Sequence, residues 1–124
     1  EPDVAATVLM AELLELHPRN PQVRYVRIAA DVLRDHGVIV YPTDSCYALG
    51  CVLGAKDAME RIQRIRQTDK NHFFTLVCRD LSEISRYARV DNPRYRLLKA
   101  FTPGPYTFVL EATREVPRRL MNER

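Results

Sequence analysis

The chain has 124 residues, of which 46% are apolar and 28% are charged, a balance typical of one globular domain rather than a disordered segment. The 19 Lys and Arg residues exceed the 16 Asp and Glu residues by only three, so the net charge of +3 does not identify an anionic partner. No apolar run approaches membrane-spanning length, and we therefore expect no membrane partner.

The amino terminus and the cysteines favour a reducing, cytoplasmic location. Residues 1–9 carry no cationic region and only a short apolar stretch, so we expect no secretory signal there and interpret them as an upstream or appended segment. Cys46, Cys51 and Cys78 form an odd set without a C-x-x-C pair, which predicts neither a disulfide framework nor a zinc site. The three histidines lack metal-ligand spacing, and no metal site is predicted on the protein.

A helix is predicted from Pro21 to His36. Asn20 suits its N-cap and Pro21 its first position. A core-facing stripe follows at spacings of three and four residues, consisting of Val23, Val26, Ala30 and Leu33. Gly37 is predicted to end this helix in the left-handed conformation.

The next stretch predicts a pair of strands. The consecutive β-branched residues 38–40 indicate a central strand buried on both faces, and Pro42 ends it because proline cannot continue a ladder. Tyr47–Val52 then predicts a second, hairpin-like strand. The intervening Thr43–Ser45 loop suits either a ligand beyond the carboxyl end of a strand or an ordinary polar turn.

The second half alternates helices and strands. We predict a helix over Lys56–Arg66, a buried strand over Phe73–Cys78, and a short helix capped by Asp80, with Glu83 in the reciprocal capping position. A further helix opens at Asn92-Pro93. This order of elements favours an α/β fold with a mixed sheet.

Two features close the chain. Residues 102–105 contain two prolines and a glycine that break the preceding helix, after which Tyr106, Phe108 and Leu110 share one face of an alternating segment. Pro117 is predicted to open a last basic turn through Arg118 and Arg119.

Four motifs in this order resemble the YrdC-like domain of the threonylcarbamoyl-adenylate synthase family, and in their details its YciO branch. They are Tyr41–Gly50, Arg61–Arg66, Phe74–Leu81 and Pro103–Phe108. The resemblance covers roughly residues 17–121 and implies a twisted mixed β-sheet flanked by helices, with a concave ligand face. It also implies that residues 10–124 are the N-terminal part of a single such domain, because the family continues through a Ser-x-Asn motif beyond the matched region.

The resemblance implies an enzyme that forms threonylcarbamoyl-AMP from threonine, bicarbonate and ATP, with Mg²⁺, for N6-threonylcarbamoyladenosine modification of tRNA. Two alternatives stay open: a double-stranded RNA-binding module and a hydrolase of the threonylcarbamoyl-adenylate.

The same resemblance implies four site residues. Arg64 and Arg66 match the family's Lys-x-Arg motif, which binds nucleotide phosphate, and Arg66 matches it better because position 64 is Arg instead of Lys. Thr43 and Thr107 match substrate-binding threonines. No catalytic residue follows from the match.

Each site residue also has a simpler interpretation. Basic residues are favourable at any helix C-terminus, and residues two apart on a helix point about 200° from each other, so Arg64 and Arg66 can share a ligand only if the helix ends between them. Thr107 faces away from the apolar row, which suits either solvent or a ligand. Cys46 could act as a nucleophile only beside a base, and a buried or incidental thiol is the favoured interpretation.

Overall fold

The computed structural model describes residues 11–68 and 74–120, which contain four α-helices, a 3₁₀ turn and a two-stranded antiparallel sheet. In chain order the elements are α1 (Val23–Arg34), β1 (Ile39–Pro42), β2 (Tyr47–Gly50), α2 (Lys56–Arg66), α3 (Leu81–Tyr87), α4 (Asn92–Phe101) and the 3₁₀ turn Arg118–Leu120. The predicted α/β class is confirmed. The segment 1–9 lies outside the described residues.

The start of α1 differs from the prediction. Its N-cap is Gln22, which makes no side-chain capping hydrogen bond, and not Asn20. The Gln22 side-chain carbonyl instead accepts a hydrogen bond of 3.0 Å from the His17 amide. The Asn20 amide donates to His17 Nδ1, also at 3.0 Å. Local hydrogen bonds in the loop thus compete with helix capping and delay the helix start.

The end of α1 is a Schellman motif. The Gly37 amide donates to the Val32 carbonyl at 2.8 Å, and the His36 amide donates to the Leu33 carbonyl at 3.1 Å. The left-handed residue is His36, with φ of 59°, so the assignment of that conformation to Gly37 was wrong. Glycine is needed at position 37 for space, because a β-carbon there would lie 2.6 Å from Val32 Cγ1.

The hairpin of β1 and β2 forms where it was predicted. Pro42 is the last residue of β1 and pairs with Tyr47, while Ile39 pairs with Gly50 at the other end. The predicted burial of β1 on both faces was wrong, because Val40 is 63% exposed. The described sheet has only two strands, so β1 alternates between half-buried and exposed residues instead of lying between neighbours.

The segment after α2 also lacks the predicted burial. Phe73 lies outside the described residues, and residues 74–78 belong to no helix or strand. Val77 is 72% exposed. The buried strand predicted here is therefore not formed by the described part of the segment, which finds no strand partner among the described residues.

The helices of the second half match their predictions closely. The bounds of α2 are those predicted. Asp80 caps α3 by accepting from the Glu83 amide at 2.9 Å, while the Glu83 carboxylate accepts from the Arg79 amide, one residue before the usual capping-box donor. Asp91 caps α4 by accepting from the Arg94 amide at 2.9 Å.

The carboxyl-terminal part packs back on α3 and α4. Ala112 forms an isolated antiparallel bridge with Ala88, directly after α3. Tyr106 sits edge-on against Phe101 of α4, with ring centroids 5.4 Å apart. Residues 106–110 form no strand, yet their side chains alternate as predicted from position 107 onward, with positions 108 and 110 half-buried and positions 107 and 109 exposed.

The core of the described residues is small. Six apolar residues are buried: Ala55, Ala58, Met59, Ile62, Ala88 and Leu98. Three of them are alanines, so the core holds few large side chains. None of the described helices is both long and apolar enough to span a bilayer.

Candidate functional site

Thr43 opens the tight turn between β1 and β2, and the turn already uses its hydroxyl. The Thr43 Oγ1 group donates to the Cys46 carbonyl and accepts from the Cys46 amide at 3.1 Å. The Thr43 amide also donates to the Cys46 carbonyl at 2.8 Å. A hydroxyl has one proton and two lone pairs, so Thr43 keeps one acceptor site free while the turn is intact.

The rest of this turn is open to solvent. Ser45 Oγ lies 3.7 Å from Cys46 Sγ, and Cys46 is exposed, so of the favoured interpretations, a buried or an incidental thiol, the buried one was wrong. No described histidine forms a hydrogen bond with Cys46. Without a neighbouring base, the geometry gives no support to a nucleophilic role.

Arg64 and Arg66 both lie in the final turn of α2. The helix ends at Gln67, a left-handed residue with φ of 53°, whose amide donates to the Arg64 carbonyl at 3.2 Å. The helix therefore ends after both arginines and not between them, and their Cα positions are about 200° apart around the axis. Both side chains are exposed, and neither forms an ion pair with a described carboxylate.

Thr107 lies in a segment without helix or strand that follows Gly104. The chain turns tightly there, and the Tyr106 amide donates to the Gly104 carbonyl at 2.9 Å. Thr107 is exposed, and its hydroxyl forms no hydrogen bond with the described residues. It is thus available to a ligand or to water.

The four predicted site residues are not joined to one another by hydrogen bonds. No hydrogen bond links any two of Thr43, Arg64, Arg66 and Thr107 within the described ranges. Their roles stay predictions.

A concave surface that these four residues do not line has mostly apolar walls, and we call it the apolar groove. It has a volume of about 500 Å³ and lies between the hairpin, α2 and residues 74–77. Its apolar walls include Leu33, Ile39, Leu49, Met59, Ile62 and Val77. The sequence contains each of these residues as an ordinary core position, so their shared open surface could not be recognised from it.

The apolar groove also has polar lining residues, among them Tyr41, Thr75, Glu83 and Tyr87. Among the described residues, Glu83 is the only charged one that lines it, and its carboxylate accepts a hydrogen bond from the Arg79 amide. Burial raises the pKa of the Cys51 thiol, which also lines the groove. Burial, and then the carboxylates of Glu83 and Asp80, raise the pKa of Cys78. Raised pKa values keep both thiols protonated and make them poor nucleophiles.

Ion pairs reduce the basic character of the described surface. Five arginines pair with carboxylates at 3.0–3.6 Å: Arg34 with Asp31, Arg79 with Asp80, Arg86 with Glu115, Arg89 with Glu111, and Arg94 with Asp91. All these side chains are largely exposed, so the pairs add little stability. They leave fewer unpaired cations for a polyanion.

The described residues offer no metal cage. Within residues 11–68 and 74–120, no group of three His, Cys, Asp or Glu side chains is placed to hold a metal ion. A magnesium ion commonly binds through substrate phosphates and water with one or two carboxylates.

Comparison with known proteins gives a family match. The family model Sua5/YciO/YrdC, described as "Telomere recombination", matches residues 31–124. The YciO protein of Escherichia coli K12 is 57% identical over 115 residues, which are 93% of this chain and 56% of YciO. The crystal structure of E. coli YciO superposes with a TM-score of 0.84, covering 91% of this chain and 55% of that chain.

Relatives with an activity in their names are less similar. A threonylcarbamoyl-AMP synthase of Chromobacterium violaceum is 36% identical over 104 residues, covering 83% of this chain and 54% of that protein. A second one, of Nitrosococcus oceani, is 37% identical over 94 residues. The chain spans about half the length of the curated relatives it matches.

Proposed function

Because this chain belongs to the Sua5/YciO/YrdC family, we propose that it forms part of a threonylcarbamoyl-AMP synthase-like enzyme. The observation that carries the proposal is the 36–37% identity to two proteins named for that activity, over most of this chain. The more similar YciO has no activity in its name, and the whole relatives are about twice as long. The reaction is therefore proposed for the complete protein.

The proposed chemistry has two steps. The amine of threonine adds to bicarbonate with loss of water and gives a carbamate. A carbamate oxygen then attacks the α-phosphorus of ATP, the bond to the β-phosphate bridging oxygen breaks, and pyrophosphate leaves. The product would serve tRNA modification in the cytoplasm.

Arg66 is proposed to hold nucleotide phosphate, with Arg64 as the weaker candidate. Both are exposed guanidinium groups without a described carboxylate partner, so no ion pair must break before phosphate binds. Because the two arginines point in nearly opposite directions from α2, we expect only one of them to contact the phosphate.

The substrate amino acid is assigned to the two threonines. Thr107 has a free hydroxyl and can donate to a carboxylate, whereas Thr43 can only accept while the turn is intact. The expected contacts therefore differ: Thr107 with the threonine carboxylate, and Thr43 with a donor such as the substrate hydroxyl.

ATP titration by calorimetry tests the nucleotide assignment. Arg66→Ala should weaken ATP binding by about 1.5–3 kcal/mol, the range for a charged hydrogen bond. Arg34→Ala is the matched control, because Arg34 is also a basic residue in the last turn of a helix but is paired with Asp31. Equal losses in both variants would mean that only a general charge effect was removed.

Pyrophosphate release that requires both threonine and bicarbonate tests the reaction itself, in the complete protein. Release without threonine, or hydrolysis of added threonylcarbamoyl-AMP without net synthesis, would favour the hydrolase. RNA binding that survives raised salt would instead favour the RNA-binding module, since non-specific phosphate contacts weaken steeply with salt.

A further inference from the structure

The loop before α1 is held by a side chain that can change its charge. His17 Nδ1 accepts hydrogen bonds from two successive backbone amides, at 3.3 Å from Arg19 and at 3.0 Å from Asn20. Because both partners are donors, Nδ1 must offer its lone pair, and the ring is neutral with its proton on Nε2. In a protonated imidazole both nitrogens are donors, so it cannot hold these amides.

A third hydrogen bond ties the same loop to the start of α1. The His17 amide donates to the Gln22 side-chain carbonyl at 3.0 Å. Gln22 is the N-cap residue of α1, and its backbone carbonyl accepts from the Tyr25 and Val26 amides at 3.0 Å and 3.2 Å. The two ends of the loop are therefore held together, and we call these three hydrogen bonds, from the amides of residues 17, 19 and 20, the His17 clamp.

The amides of this loop have few other partners. Pro18 and Pro21 have no amide hydrogen, so residues 17–22 contain four backbone donors: His17, Arg19, Asn20 and Gln22. The His17 clamp holds three of the four, and these amides donate no other hydrogen bond to the described residues. The loop therefore depends on the His17 ring for two of the three hydrogen bonds that its amides make.

We propose that the His17 clamp is a pH-sensitive device that keeps this loop closed at neutral pH and opens it in acid. Histidine side chains change their charge between about pH 5 and 8. Protonation at Nδ1 places a third donor where two amide donors already point, so both hydrogen bonds are lost and the loop must rearrange around the charged ring. The device does not depend on the proposed reaction.

The charged groups around His17 leave the two amides as its polar partners. Glu12, Glu15 and Arg19 are the charged residues near it along the chain, and all three are exposed. No described charged side chain forms an ion pair with the ring. A loop that needed only a fixed cap could use asparagine or aspartate, whose side chains accept from the same backbone positions without changing charge in this range.

Proton–nitrogen NMR spectra of this chain, recorded between about pH 8 and pH 5, test the proposal. At neutral pH, long-range ring spectra should place the His17 proton on Nε2. As the ring gains its second proton, the Arg19 and Asn20 amide resonances should move upfield with the same midpoint. Their protection from hydrogen exchange, corrected for the direct effect of pH, should fall by about twofold to tenfold, as expected for the net loss of one hydrogen bond.

Two histidines supply a variant and its control. His17→Asn keeps an acceptor at this position but removes the charge change, so the Arg19 and Asn20 amides should keep their protection across the whole range. His36→Asn is the control, because His36 is also exposed and is not part of the clamp. Its φ of 59° is one that asparagine tolerates, and the substitution should leave the response of both amides unchanged.

Four results would overturn the proposal. The first two are Arg19 and Asn20 amides that do not follow the titration of the His17 ring, and a neutral His17 ring with its proton on Nδ1. The other two are an unchanged response of these amides in His17→Asn, and a response that disappears in His36→Asn.

Discussion

Gly50 and Tyr41 form a cross-strand contact whose energy can be measured. Gly50 lies at the end of β2, and a β-carbon there would be 2.8 Å from Tyr41 Cε1 and 3.4 Å from Cδ1. The nearer distance is too short for two carbon atoms, so Gly50→Ala must displace the Tyr41 ring. The ring belongs to a half-buried side chain beside the open groove and can move. We therefore expect Gly50→Ala to lower the free energy of unfolding by about 1 kcal/mol, at the low end of the range for overpacked side chains.

Removing the ring should reverse the sign of the effect. In a Tyr41→Ala background the clash is absent, and Gly50 has an ordinary strand conformation that alanine can adopt. Gly→Ala substitutions at such positions stabilise proteins by about 0.4–1 kcal/mol, because they reduce the freedom of the unfolded chain. The coupling energy between the two substitutions should therefore be about 1.5–2 kcal/mol.

Urea denaturation of four proteins completes this double-mutant cycle: the unsubstituted chain, each single variant and the double variant, followed by far-UV circular dichroism. A Gly50→Ala loss of equal size with and without the Tyr41 ring would refute the contact as the cause. A changed urea slope in one variant would show that the unfolded or native state, and not only the contact, had changed.

Three further outcomes are expected in the same denaturation assay. Gly37→Ala should lower the free energy of unfolding more than Gly50→Ala does, in the upper part of the range of about 1–3 kcal/mol. The reason is that its β-carbon would lie 2.8 Å from the backbone carbonyl oxygen of Val32, which cannot rotate away. A smaller loss than that of Gly50→Ala would contradict this. Asp91→Ala should cost about 1 kcal/mol through loss of the α4 cap, with Asp91→Asn restoring most of it. Hydrogen bonds from the Ser82 hydroxyl and the Glu83 amide lower the pKa of Asp80. The contribution of the Asp80 carboxylate to the free energy of unfolding is thus present above its unfolded-state pKa and is lost as pH falls through its folded-state pKa. Asp80→Asn should therefore make the free energy of unfolding depend less on pH in the acid range.

Local signals in the sequence predicted local structure well. The caps at Asp80 and the bounds of α2 depend on residues within a few positions, and both are confirmed. The prediction placed the left-handed residue after α1 at Gly37, one position too late, because glycine is the residue usually found in that conformation. Gly37 is required by its approach to Val32, and His36 takes the strained conformation.

Burial could not be predicted in the same way. The β-branched run at residues 38–40 and the apolar run at residues 74–78 have the composition of central strands, but burial depends on what lies beside a strand. Among the described residues, β1 has a strand neighbour on one side only and residues 74–78 have none, and Val40 and Val77 are exposed.

The proposed phosphate-binding arginines and the apolar groove differ in chemistry, so added salt should affect them differently. Arg64 and Arg66 are exposed charges, and the attraction of an exposed cation for phosphate is screened within about 8–10 Å at physiological ionic strength. The packing of apolar side chains, such as those lining the apolar groove, depends on removing apolar area from water, which ordinary salts weaken little and excluded salts strengthen. ATP affinity should therefore fall as sodium chloride rises, while the free energy of unfolding changes little. An ATP affinity that stays constant as sodium chloride rises would mean that exposed arginines do not hold the phosphates.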